Sequence, residues 1–448
     1  MAAGGSAIVD NLLDDAVKDI NDATVQPMDQ ESLKILNKFD KDKVFGSDMD
    51  AHLKIRTGWG GRLAGAKGVT GPVLPAGMAS TGILGKLPAR KLMIGWQFSD
   101  TDIRKMEGGR KGQHTTLTKE LAGGMKKFKN SQNRFVWGRG DSVVARVSGV
   151  HTTEAYVDVD GPILAIEDDE VRGYDSRHTD TAGTQTATRR VVDVDHQLKR
   201  IYFDAASVGW ADNELVALYE FAYDQTSAAN KFTATPRGIP AWLDNTGDDT
   251  ATAIWDTTDE SGARHVKTYL GLDRTAAAQR KLLTTFKNAS SAVVNGFWIS
   301  YGVMALKAKG INPKECILVM SHLMYSRIVD MYSGAIGPDV TIKLPGGDLN
   351  LPTISGAGTN QLPVLATPYM KDGVIVTLRC RGKTGDFEQV YAGGGWVGGR
   401  GNRFHLKPDG SGNHNHVWNL YFTAWWGIGC VDPHNQHVLY GLDTTDPT

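Results

Sequence analysis

Lys86-Leu-Pro-Ala-Arg-Lys-Leu-Met-Ile-Gly-Trp-Gln-Phe-Ser99 is the stretch whose reading decides the fold. Leu92, Ile94, Trp96 and Phe98 alternate with Met93, Gly95 and Gln97, the period of an extended strand that leaves a loop. A glycine-rich break follows at Gly108, Gly109 and Gly112. Thr115 and Thr116 then offer hydroxyl caps to a helix running to about Trp137. Leu117, Leu121, Met125, Phe128 and Phe135 fall on one face of that helix, and Lys119, Lys126, Lys127, Lys129 and Arg134 fall mostly on the other. Gly123-Gly124 interrupts it at about 1 kcal/mol per glycine relative to alanine. Trp137-Gly-Arg-Gly-Asp141 supplies the glycines that end it.

Working outward, residues 1–55 are polar and weakly periodic, with one short helical stretch expected at Glu31–Phe39. Gly58-Trp-Gly-Gly61 opens a loop broken by Pro72, Pro75 and Pro88, too long and too rich in breakers to pack on its own chain. Beyond the helix, Val143–Val147, Ala155–Val159 and Ile163–Ile166 read as short strands, and Arg190–Asp195 with Arg200–Phe203 as a hairpin. Asp158, Asp160, Asp193 and Asp195 are expected at solvent, and Pro236–Leu243 is an apolar landmark. Helices are expected at Asp273–Lys287, Ser290–Ala308 and His322–Tyr332, with Cys316–Met320 a buried strand between the last two. Val374–Leu378 and Val417–Val431 read as strands. The second alternates Trp418, Leu420, Phe422, Ala424, Trp426, Ile428 and Cys430 with Asn419, Tyr421, Thr423 and Trp425.

Element order and texture over most of the chain resemble the major capsid proteins of tailed bacteriophages with the Hong Kong 97-type fold. The resemblance is carried by Gly82–Asp100, Thr116–Phe135 and Gly138–Ser148. It implies an α+β chain with an N-terminal arm (1–55), an E-loop (56–105) and a peripheral-domain spine helix with its following strand (106–150). After these it implies a β-rich peripheral or insertion region (151–222), an axial domain (223–370) and returning strands that close the sheets (371–448). It further implies self-assembly into pentamers and hexamers of an icosahedral head, built in the host cytoplasm around double-stranded DNA held by weak, sequence-blind contact. Portal, scaffold and decoration proteins are the other partners it implies. Contacts between subunits are expected at Trp59, Arg62, Lys67, Val73, Leu74, Ile83, Leu84 and Lys86 of the loop and at Lys126, Lys127 and Arg134 of the helix. An encapsulin-like nanocompartment shares this fold, and a carbohydrate-active β-protein is the alternative from another class.

Charge and composition bear on those alternatives. The chain of 448 residues is long for one domain, and its 49 basic residues nearly balance 50 acidic ones, so no global field marks a nucleic-acid binder. The balance hides a split: Lys86–Arg146 holds 14 basic and 5 acidic residues, whereas Glu154–Glu260 holds 22 acidic and 8 basic. Neighbouring blocks of opposite sign suit contacts between copies of one chain. Cys316, Cys380 and Cys430 form no metal or disulfide pattern, and no apolar run is long enough to span a membrane.

Chemistry is sparse. His414, His416, His434 and His437 are the best metal candidates, but no carboxylate completes a zinc signature. Glu167-Asp-Asp-Glu170 reads as a solvated turn rather than a catalytic carboxylate pair. Gly393–Arg400 and Gly108–Gly112 lack the residues of a phosphate loop. No enzyme activity, cofactor or metal site is expected.

Overall fold

The computed structural model describes residues 40–42, 50–58, 81–99, 111–138, 140, 142–174, 187–206, 209–219, 235–243, 268–269, 272–273, 282–331, 336–342, 349–356, 359–379, 386–396, 404–408 and 414–444. Strands and helices are numbered along the chain. The alternating segment near the C-terminus forms β21 (His414–Cys430), the longest described strand. One of its edges pairs antiparallel with β4 (Arg90–Ser99), from Val417↔Ser99 to Trp426↔Arg90. Its other edge takes β19 (Phe387–Trp396) and β20 (Phe404–Pro408) in turn, and β1 (Asp40–Asp42) joins β19 in parallel. Leu420, Ala424, Trp426, Ile428 and Cys430 are fully buried, as the period of two requires.

Two further sheets flank this one. The β-rich region is a sheet of order β5-β10-β7-β8-β9-β6. Its strands are β5 (Val143–Arg146), β6 (Tyr156–Asp158), β7 (Glu170–Tyr174), β8 (Arg189–Asp195), β9 (Arg200–Phe203) and β10 (Leu215–Leu218). The expected hairpin is present, with Asp195↔Arg200 as its last pair. Ile163–Ile166 is not a strand, although Ile163 and Ala165 are buried in the core.

The third sheet runs β13-β22-β18-β14-β17-β16-β15. It is built from β13 (Thr285–Ala292), β14 (Cys316–Met320), β15 (Ile336–Ile342), β16 (Leu349–Gly356), β17 (Thr359–Ala366), β18 (Ile375–Arg379) and β22 (His437–Leu442). β11 (Thr268–Tyr269) and β12 (Leu272–Asp273) pair separately. β14 lies between two strands and is buried at all five positions. Its Ile317 and Val319 join the main core, while Cys316, Leu318 and Met320 join a second core on the other face. Two helices cover that second face: α3 (Gly296–Lys307) through Ile299, Val303 and Leu306, and α4 (His322–Met331) through Met324 and Ile328.

Three helix expectations need correction. Asp273–Lys287 does not hold as a helix, because Thr285–Lys287 lie in β13 and pair in parallel with His437–Leu439. Ser290–Ala308 starts late: Ser290 and Ser291 take left-handed φ of 54° and 60° within a bulge of β13, and Asn295 caps Trp298 N at 3.1 Å. Asn288 Oδ1 accepts from Ser290 N at 2.8 Å and fixes that bulge. The long helix α1 spans Lys111–Val136, so it starts before Thr115 and Thr116, which lie inside it. Its 26 residues reach about 39 Å. The short helix α2 (Ile239–Leu243) is buried throughout, and Trp242 Nε1 donates to Ile428 O of β21 at 2.5 Å.

The paired glycines of α1 have opposite surroundings. A Cβ on Gly123 would meet nothing within 4 Å, whereas one on Gly124 would fall inside the indole of Trp96. Gly123→Ala is therefore expected to raise stability by up to about 1 kcal/mol. Gly124→Ala should lower it by about 1–3 kcal/mol through overpacking. Urea unfolding of both variants checks the sign; equal effects would mean that Trp96 gives way freely.

Candidate assembly surfaces

The deciding stretch lies on two consecutive strands. β3 (Thr81–Pro88) pairs antiparallel with β2 (Asp50–Gly58), from Asp50↔Pro88 to Gly58↔Thr81, as a separate two-stranded sheet. Leu87, Ala89 and Leu92 carry its base into the main core. The first strand of this ribbon thus straddles the expected boundary between residues 1–55 and 56–105. Ile83, Leu84 and Lys86 lie on β3, opposite Ile55, Lys54 and His52. Trp59, Arg62, Lys67, Val73 and Leu74 lie outside the described residues, as does Glu31–Phe39.

β4 then meets α1. Trp96 Nε1 donates to Glu120 O at 3.3 Å, and Phe128 meets Phe422 edge to face at 5.4 Å between centroids. Between strand and helix lies a groove of about 660 Å³, bordered by Leu92, Ile94, Trp96, Gly123, Lys127 and Asp168. It has an apolar wall on β4 and a charged end at the Glu167–Glu170 turn.

At that end the basic helix face divides. Lys119 and Lys126 are exposed. Lys127 Nζ donates to Asp168 O at 2.6 Å. Arg134, expected at a contact between subunits, is 2% exposed and bonded to Asp169, itself 5% exposed. Asp169 Oδ2 also accepts from Ile166 N at 2.9 Å. The acidic turn is accordingly no purely solvated loop: Asp169 points in, while Asp168, at a left-handed φ of 67°, points out to Arg190. Helical spacing separated the basic side chains from the apolar ones but did not show that an acidic turn lies over part of the basic face.

The histidine candidates separate as well. His437 is fully buried, its ring 5.6 Å from that of Tyr301, and neither ring nitrogen has a hydrogen-bond partner. Burial, and then the nearby Lys309 charge, push it down to about 4. Lys309 Nζ donates to the backbone O of His434 at 2.5 Å. Among the described residues no group of three or more His, Cys, Asp or Glu side chains is placed to hold a metal. No described helix is long and apolar enough to cross a membrane. Asp386, which Arg379 approaches to 3.1 Å, is pushed up to about 7, chiefly by burial.

No family model and no curated protein matches the sequence. Among solved structures, the cyanophage A-1(L) capsid asymmetric unit aligns over 94% of this chain and 95% of its own, at a TM-score of 0.51 and 9% identity. The capsid of the native GTA particle aligns over 92% of this chain and 89% of its own, at 0.42 and 9%. Mycobacterium phage Patience gives 98% and 89%, at 0.40 and 8%. The end-to-end match to the cyanophage chain is one of fold: this chain shares the fold of that capsid structure.

Proposed function

We propose that this chain is a major capsid protein of the Hong Kong 97-type, whose copies assemble as pentamers and hexamers of an icosahedral head around double-stranded DNA. The observation that carries the reading is the cyanophage capsid match, which spans nearly all of both chains. The β2–β3 ribbon takes the part of the E-loop, α1 that of the spine helix, and the sheet of β13 to β22 with α3 and α4 that of the axial domain. In this reading β2 (Asp50–Gly58), which begins within residues 1–55, belongs with the ribbon it pairs in.

The groove beside α1 gives that ribbon a place to go. It is open, apolar on its β4 wall and bordered by Lys127. Trp59, Val73 and Leu74 of the segment joining β2 to β3 supply matching apolar groups, and Arg62 and Lys67 supply charge for the acidic turn. A neighbour's ribbon laid along this groove orders a segment whose composition leaves it little to pack on at home. Lys126 remains for contact with that neighbour, whereas Arg134 serves inside its own chain.

Expression of the full chain tests the reading. Gel filtration and negative-stain microscopy should show megadalton, closed particles; a small oligomer with no particles under any ionic condition overturns it.

A further inference from the structure

α3 is apolar on two sides, and its own chain covers only one of them among the described residues. Ile299, Val303 and Leu306 pack on the sheet, and Gly302 sits so close that an added Cβ would meet Thr377 Oγ1 and His437 Nδ1. On the other side Phe297 is 61% exposed and Met304 41%, with half-buried Tyr301 between them. Val293, 49% exposed, leads into this line. At 100° per residue, positions 297, 301 and 304 form one stripe. Its rings are in mutual contact, Phe297 lying 5.0 Å from Trp298 and 5.7 Å from Tyr301. A helix apolar on both faces is ordinarily buried on both.

The rim of the stripe is basic. Lys287 stands 5.9 Å from the Tyr301 ring, Lys307 is exposed, and α3 contains no acidic residue. A surface of the opposite kind exists on the same chain. The β8–β9 hairpin exposes Val192 (54%) and Leu198 (62%) beside Asp193 and Asp195. Its turn is held by Asp195 Oδ1, which accepts from Gln197 N at 2.8 Å and Leu198 N at 2.9 Å. The four basic residues of that hairpin are engaged within the chain: Arg189 donates to Ala206 O, Arg190 pairs with Asp168, Lys199 with Asp372 and Arg200 with Asp158. The hairpin therefore offers apolar side chains beside two carboxylates, Asp193 and Asp195, that pair with no cation among the described residues, complementary to the lysine-rimmed stripe.

We propose that the outward face of α3 docks on the β8–β9 hairpin of a second copy of this chain, against Val192, Leu198 and the carboxylates of Asp193 and Asp195. The proposal rests on the reading of the chain as a self-assembling shell protein and names one contact in that shell. Two unlike surfaces meeting in this way make a heterologous contact, the kind that closes copies into rings.

Two measurements on the full chain test it. Particles grown from mixed isotope-labelled and unlabelled protein are treated with a zero-length carbodiimide and digested. Lys287 or Lys307 should link to Asp193 or Asp195 in mixed-isotope pairs. In parallel, Met304→Cys should react with a maleimide about tenfold or more slowly in particles than in dissociated subunits, against the unsubstituted chain as background. Particles in which those lysines link only elsewhere, or Cys reactivity equal in both states, overturn this contact and leave the shell reading standing. Protection already present in dissociated subunits also overturns it, because a segment of the same chain then covers the stripe. Failure of the unsubstituted chain to form particles overturns both.

Discussion

Asp169→Ala lowers the unfolding free energy of the unassembled subunit by about 3–5 kcal/mol, the range for breaking one half of a buried ion pair. The reason is geometric. Arg134 and Asp169 are 2% and 5% exposed, so removing the carboxylate leaves a guanidinium that water does not reach. The Phe135 ring, 4.9 Å from the guanidinium carbon, replaces little of that lost partner. Ile166 N loses its acceptor in the same step. Arg134→Met alone has a comparable cost, since it strands the carboxylate instead. The double variant Arg134→Met/Asp169→Leu is expected within about 1–2 kcal/mol of the parent, because no buried charge is left to desolvate. Urea unfolding of the three variants measures this. Single costs under about 1 kcal/mol that simply add in the double would mean that water reaches the pair.

That ion pair also marks where reading the sequence stopped. Period two made β21 visible and period 3.6 made α1 visible, because a single buried face imposes each pattern locally. Arg134 was sorted with the lysines because spacing says which face a residue occupies, not what covers that face. Its partner lies 35 positions on, in a turn whose four acids look alike in sequence. Asp169 turns inward and Asp168 outward only through the left-handed backbone at 168. The stretch at 282–287 fails for a related reason. Leu282, Leu283 and Phe286 fit a helical face, yet β22, about 150 residues later, draws Thr285–Asn288 into a parallel ladder. The first strand of the β2–β3 ribbon was not legible, since Asp50–Gly58 has no continuous apolar face. The outward stripe of α3 stands in the sequence as Phe297, Tyr301 and Met304, at the spacing that a buried helical face also shows. Only the orientation of α3 on its sheet separates it from the buried Ile299, Val303 and Leu306.

Replacing residues 59–80 by Asn-Gly should leave a folded chain that forms no closed particles. The cut has to stop at residue 80, because β3 begins at Thr81 and its Leu87 is anchored in the main core. Asn-Gly is a favoured two-residue turn for an antiparallel pair, so β2 and β3 keep their connection after the excision. Neither the β13–β22 sheet nor the β5–β10 sheet takes a strand from the ribbon, and the melting temperature of the shortened subunit should change by only a few degrees. Assembly should respond quite differently. A two-stranded ribbon is marginal by itself in water, and the glycine- and proline-rich segment that holds Trp59, Val73 and Leu74 has few apolar residues in its sequence to surround them. If a neighbour's groove supplies that surround, the excised residues stabilise the contact between copies and contribute little inside one copy. Gel filtration then shows subunits or small capsomers where the full chain gives megadalton particles. Particles of normal size from the shortened chain would place the contact elsewhere, whereas a shortened chain that fails to fold would show that the segment packs on its own subunit after all.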